Sequence, residues 1–168
     1  MANTFVQIGT TQTVASGGVA SVTFSSIPAT YTDLKLVLST RDARALTVSD
    51  IFVTFNGSGG TYSGRYVYGN GTSAVSTTTT DGMAWGTGAS NTASVFGNSE
   101  VYIPNYTSAN AKSYSSDSTS ETNATDGYVL LLAGLWTGTD AITSILLTPF
   151  TANFAQYSTF SLYGIKKN

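Results

Sequence analysis

The segment DLKLVL (33–38) decides the fold: its period-two alternation sets Leu34, Leu36 and Leu38 on one face. Leucines at every second position make a strand with one buried face, because successive side chains of an extended chain point to opposite sides. Working outward, DIFVTF (50–55) repeats the alternation and stops at Asn56-Gly57-Ser58-Gly59-Gly60. Upstream, residues 5–8 begin a strand, and residues 19–24 follow a Gly17-Gly18 pair that predicts a hairpin turn, since glycine reaches positive φ without strain. Downstream, TYSGRYVY (61–68) reads as an aromatic strand or one short helical turn. Residues 77–80 before Asp81-Gly82 read as exposed loop. Further strands are expected at 83–87, 95–103, 112–119, 128–136, 142–148 and 159–165.

Short strands separated by turn residues, with no crossover helices, predict an all-β, antiparallel β-sandwich of about 8–10 strands, jelly-roll-like in its wiring. Residues 1–168 are expected to be one domain. The Ser/Thr/Gly-rich stretch 72–91 fits a long surface excursion as well as a linker, and no internal repeat appears. Residues 142, 145 and 147, with 160, 162 and 165, predict two adjacent core strands joined by a turn at Ala152-Asn153. Gly164 allows close backbone approach or a bulge.

Composition narrows the chemistry. Apolar residues make up 41% of the 168, enough for a core, whereas charged residues are 10% against about 25% in ordinary domains. The difference is filled by 22 Ser and 28 Thr, with 17 Gly and 10 Asn. There is no His and no Cys, which removes Ser-His and Cys-His nucleophilic pairs, His- or Cys-ligated zinc, and disulfides. Seven basic and nine acidic residues give a net charge of −2, with no basic cluster beyond Lys166-Lys167. Phosphate neutralisation needs several cations on one face, so nucleic acid is not an expected partner. The longest apolar run, YVLLLAGLW (128–136), is nine residues. A membrane-spanning helix needs about 20, so no membrane insertion is expected. The start, MANTFVQIGTT, has neither basic nor apolar stretch, and no signal peptide is expected.

The candidate motifs are weak. NGSGGTYSG (56–64) follows a strand but lacks the Lys-Ser/Thr of a phosphate loop and the spacing of a dinucleotide fingerprint, and reads as a turn. The nine acids fall mostly at strand ends in no hydrolase pattern, so no catalytic residue and no enzyme activity are assigned. Glu121, Asn123 and Asp126-Gly127 offer oxygen ligands in one loop without EF-hand spacing. An Asn/Asp/Gly turn is the plainer reading, and no metal or cofactor is expected. The four Asn-x-Ser/Thr sequons, at Asn56, Asn70, Asn105 and Asn123, carry little weight without a secretion signal.

The aromatics divide in two. Phe24, Phe55, Tyr128, Trp136 and Phe160 lie in strong strands and are expected in the core or its edges. Tyr62, Tyr66, Tyr68, Trp85 and Tyr106 lie in or beside polar, glycine-rich segments. There they suit sugar stacking, a protein interface, or capping of the sandwich ends. Arg65 is placed to stack on a neighbouring tyrosine or to pair with Asp81. Tyr62, Arg65, Tyr66 and Trp85 are therefore the candidate partner or glycan contacts.

Several segments resemble small virion structural proteins of tailed bacteriophages: PATYTDLKLVLSTRDAR (28–44), RYVYGNG (65–71), VYIPNYTSANAKSY (101–114) and, most specifically, GLWTGTDAITSILLTPFTANFAQYSTFSLYGIKK (134–167). The resemblance implies a β-sandwich module of the particle, of the kind found as capsid decoration (cement) proteins and within tail fibres. It supplies no catalytic residues. By the same analogy the protein is expected as a homotrimer on the virion surface, made in the host cytoplasm, with the major capsid protein and copies of itself as partners. Ala2, Asn3, Thr4, Phe5, Val6 and Gln7 are the candidate capsid or inter-subunit contact arm, because chain ends extend easily across a neighbour. A tail or head-fibre module recognising host-surface glycan through exposed aromatics is the second reading, and a free-standing lectin or glycan-active enzyme ranks last.

Overall fold

The leucine alternation becomes β4 (Asp33–Thr40), in which Leu34, Leu36 and Leu38 are fully buried. The computed structural model describes residues 4–57, 60–123 and 126–166. Among these residues there is no helix, and thirteen strands form two antiparallel sheets. The others are β1 (Phe5–Gln7), β2 (Gln12–Thr13), β3 (Val22–Phe24), β5 (Val48–Phe55), β6 (Tyr62–Gly69), β7 (Ala74–Thr79), β8 (Met83–Thr87), β9 (Gly97–Ile103), β10 (Lys112–Ser120), β11 (Tyr128–Trp136), β12 (Ile145–Pro149) and β13 (Thr159–Ile165). The large sheet runs β1-β13-β4-β9-β10-β11-β6-β7, with β2 also pairing β13, and the small sheet runs β3-β12-β5-β8.

The wiring is that of a jelly roll. Four antiparallel pairs nest inside one another: β3 with β12, β4 with β9, β5 with β8, and β6 with β7. The nested ribbon rolls up through the pairs β12–β5 and β11–β6. One position of the eight-strand plan holds a three-strand meander, β9-β10-β11. That meander, β13 beside β4, and the short β1 and β2 beyond it raise the strand count to thirteen and make one sheet much the wider.

The two sheets share one apolar core. Val22 and Phe24 of β3, Ile51, Val53 and Phe55 of β5, and Ile145 and Leu147 of β12 line the small sheet. Leu130 and Leu132 of β11, with Phe160 and Leu162 of β13, line the large one. Where the facing residues are small, the sheets draw together. The inner face of β10 carries Ser116, Ser118 and Ser120, and β9 adds Gly97 and Ser99, all buried. The edge strand β8 settles onto these hydroxyls: Trp85 N donates to Ser118 Oγ at 3.0 Å, Ser99 Oγ donates to the Trp85 carbonyl, and Thr87 Oγ1 lies 2.8 Å from Ser120 Oγ. The backbone N–H and carbonyl of Trp85 and the Thr87 hydroxyl, which would otherwise lie buried and unpaired on an edge strand, are thereby satisfied.

Several sequence expectations change. Gly17 and Gly18 do form a turn, with φ of +95° and +73°, but it closes no hairpin. It turns the chain from β2 in the large sheet to β3 in the small one. At Gly18 a Cβ would lie 2.6 Å from the Phe154 carbonyl oxygen, so the close passage excludes any side chain. Residues 61–68 are strand, and 77–79, expected as loop, belong to β7. There β-branched Val75, Thr77, Thr78 and Thr79 pair with β6. β12 and β13 are not sheet neighbours but lie in opposite sheets. The early part of the expected strand 142–148 is held instead by Asn56, whose Oδ1 accepts from Thr143 N and Ser144 N and whose Nδ2 donates to the Ala141 carbonyl. Gly164 provides the anticipated close approach, to the ring of Tyr31: a Cβ there would lie 2.2 Å from Tyr31 Cγ.

Candidate functional site

β6 carries most of the candidate contact residues, and its two faces differ. Tyr62, Tyr66 and Tyr68 alternate with Arg65 and Val67, so the tyrosines face the small sheet while Arg65 and Val67 face outward. On the inner side the rings interlock. Trp85 lies 6.0 Å from Tyr66, 5.2 Å from Tyr68 and 6.0 Å from Tyr128, between centroids. Tyr62 packs with Phe55 and Tyr114, and its hydroxyl accepts from Phe55 N at 2.7 Å. Burial pushes the Tyr62 hydroxyl up to about 12. Tyr66 is also raised, by burial first and then by Asp50 and Tyr68.

The four candidates therefore do not form one surface. Trp85 is 8% exposed, Tyr62 and Tyr66 are half-buried in the inter-sheet packing, and Arg65 stands on the opposite face. Arg65 does not pair with Asp81; its Nη1 donates to the neighbouring Gly64 carbonyl. Tyr106, grouped by sequence with the exposed aromatics, is fully buried and donates its hydroxyl to the Pro28 carbonyl. Glycine and hydroxyl neighbours at these positions mark close inter-sheet contact rather than exposure.

The N-terminal candidates divide as well. Phe5, Val6 and Gln7 form β1, the edge strand paired with β13, and the Thr4 carbonyl accepts from Lys166 N. Phe5 is 54% exposed. Ala2 and Asn3 lie outside the described residues.

The surface that the sequence reading missed is the outer face of β11. Val129, Leu131 and Leu135 are 52%, 58% and 38% exposed, and Val67 beside them is 50% exposed. Strand register arranges them in rows: Asp117, Leu131 and Val67 lie side by side, and Ser115, Ala133 and Arg65 form the next row. These six residues line a shallow depression of ≈ 380 Å³. Burial and the nearby Glu100 raise the Asp117 carboxyl, Lys35 partly opposing. Glu100 itself is engaged by Lys35 at 2.6 Å. The signal was present in the sequence, since YVLLLAGLW has no polar residue at any alternate position. Such a run is the pattern of a strand covered on both faces.

Asn56 and Gly57, at φ of +50° and +75°, make the turn that starts the glycine-rich run. Just after β10, Glu121 Oε1 accepts from Asn123 N at 2.7 Å. Among the described residues no three His, Cys, Asp or Glu side chains gather where they could hold a metal, and no helix is long and apolar enough to cross a membrane. Comparison with protein-family models, with curated proteins and with solved structures finds no match to this chain.

Proposed function

We propose that this chain is a bacteriophage virion structural protein, a capsid decoration protein that binds where major capsid subunits meet and stabilises the head. The observation that carries this reading is the wide sheet's uncovered outer face, uncharged over β11 and hydroxyl-rich around it. Such a face suits broad contact with another protein better than capture of a small polar substrate. The segment resemblance supplies the particle as the setting. Many identical copies on a shell make weak individual contacts sufficient through avidity.

The rival reading, recognition of host glycan by Tyr62, Tyr66 and Trp85, receives less support, since Trp85 is buried and the tyrosines are engaged with the small sheet. Cryo-electron microscopy of intact particles, with copies of this protein located and counted, tests the proposal. Density at three-fold or quasi-three-fold positions over the whole head is the expected result. A few copies confined to the tail or one vertex would overturn it.

A further inference from the structure

The outer face of β10, β11 and β6 combines an apolar strip with one cation and one anion at opposite corners. Leu131 and Ala133 occupy the centre, Asp117 flanks Leu131 on one side, and Arg65 flanks Ala133 on the other. Two strand spacings and two residues of rise separate the charged positions by roughly 12 Å. Neither is ion-paired among the described residues, whose two ion pairs are Lys35–Glu100 and Arg44–Asp50. Leu131 is the most exposed large apolar residue of the strip, at 58%. β11 is thus as apolar outside as a strand covered on both faces, yet the described residues cover only its inner side.

We infer that this face is a contact surface between two copies of this chain, related by a two-fold axis that sets Arg65 of each against Asp117 of the other. Charge complementarity selects this occupant. A face carrying one cation and one anion on opposite sides of an apolar centre is complementary to itself, and an isologous contact uses each pair twice. A basic or an acidic partner protein would leave one of the two charges unmatched. The inference does not rest on the virion reading. The two do compete for the strip over β11: a monomer would leave it to the capsid, a dimer that still binds particles would put the capsid contact elsewhere on the chain, and a dimer that binds no particle would overturn the virion reading alone.

Sedimentation equilibrium of the full purified chain, up to about 100 µM, is the test; that range lies well above the micromolar dissociation constants of modest specific complexes. The expected mass is twice the 17.5 kDa of one chain. Leu131→Glu, at an exposed site, is expected to give a monomer with an unchanged circular dichroism spectrum and melting temperature. Arg65→Asp and Asp117→Arg are each expected to weaken association at least tenfold, and the double variant to recover most of the loss. A monomeric wild type, a three-chain assembly, a dimer indifferent to Leu131→Glu, or a double variant no better than either single one would overturn the inference.

Discussion

Ser118 Oγ accepts the backbone N–H of Trp85 at 3.0 Å, so a side chain from the middle of the wide sheet closes the edge of the narrow one. Replacing the hydroxyl strands a buried donor, which costs about 1–3 kcal/mol. Ser118→Ala is expected to lower the midpoint of chemical unfolding accordingly, whereas Thr119→Ala, at the exposed neighbouring position, is expected to change it by less than about 0.5 kcal/mol. Equal effects at both sites would show that β8 is not fastened this way.

Lys112 is a second fastening. It is 2% exposed, and its ammonium donates to the carbonyls of Ser108, Thr139 and Asp140 at 2.6, 3.1 and 2.8 Å, beneath the Trp136 ring. Lys112→Met keeps the stem and removes the donors. The expected loss is about 2–4 kcal/mol, together with faster amide exchange at Thr137, Gly138 and Thr139. Retained stability would mean the carbonyls find other partners.

Asp42 gives a pH dependence of known sign. It is 3% exposed; its Oδ1 accepts from Arg44 N while Oδ2 has no partner. Its carboxyl is raised above 3.8, chiefly by burial. A raised carboxyl contributes stability below its unfolded pKa, and that contribution is lost as pH rises through the folded value. Asp42→Asn is therefore expected to stabilise the protein at pH 7 relative to wild type, with the gain shrinking to nothing below about pH 4. Denaturant titrations at pH 3.5 and 7 check this, and a variant destabilised equally at both would contradict it.

Deleting residues 2–7 removes β1 from the edge of the wide sheet. β13 keeps its pairs with β4 and β2, so folding is expected to survive with a loss of about 1–3 kcal/mol. If the segment is the capsid-contact arm, binding to particles lacking the protein disappears in a co-sedimentation assay. A truncated protein that folds and still binds assigns the segment to the sandwich alone.

Where an apolar segment is bounded by turn residues, the sequence carries the strand: the expected 83–87, 128–136 and 159–165 coincide with β8, β11 and β13. Alternation says which face is buried but not which strands pair, so it suggests β12 and β13 as neighbours although they lie in opposite sheets. Thr77, Thr78 and Thr79 resemble loop because hydroxyl side chains fit water or a strand edge equally well; pairing with β6 decides the matter. The same ambiguity hides Trp85 and Tyr106, whose serine, glycine and asparagine neighbours give them room inside rather than access outside. Leu131 is legible as part of an apolar run without alternation, the pattern of a strand covered on both faces, but the run does not say what covers the outer one.

The nesting of β3–β12 around β4–β9, β5–β8 and β6–β7 also orders events during synthesis. The innermost pair, β6 with β7, can close first; β5–β8 and β4–β9 follow as their later strands are made, and β3–β12 closes last. Each outer pair must wait for a partner further along the chain, and β3 waits for β12, whose residues begin at 145. Long-range pairings of this kind slow folding and leave strand edges open meanwhile. The small sheet thus lacks its inner strand β12 until residues 145–149 are made, and β3 and one edge of β5 stay unpaired until then. The chain's exposed β11 and sparse charge make that interval the time when it most needs protection from its neighbours.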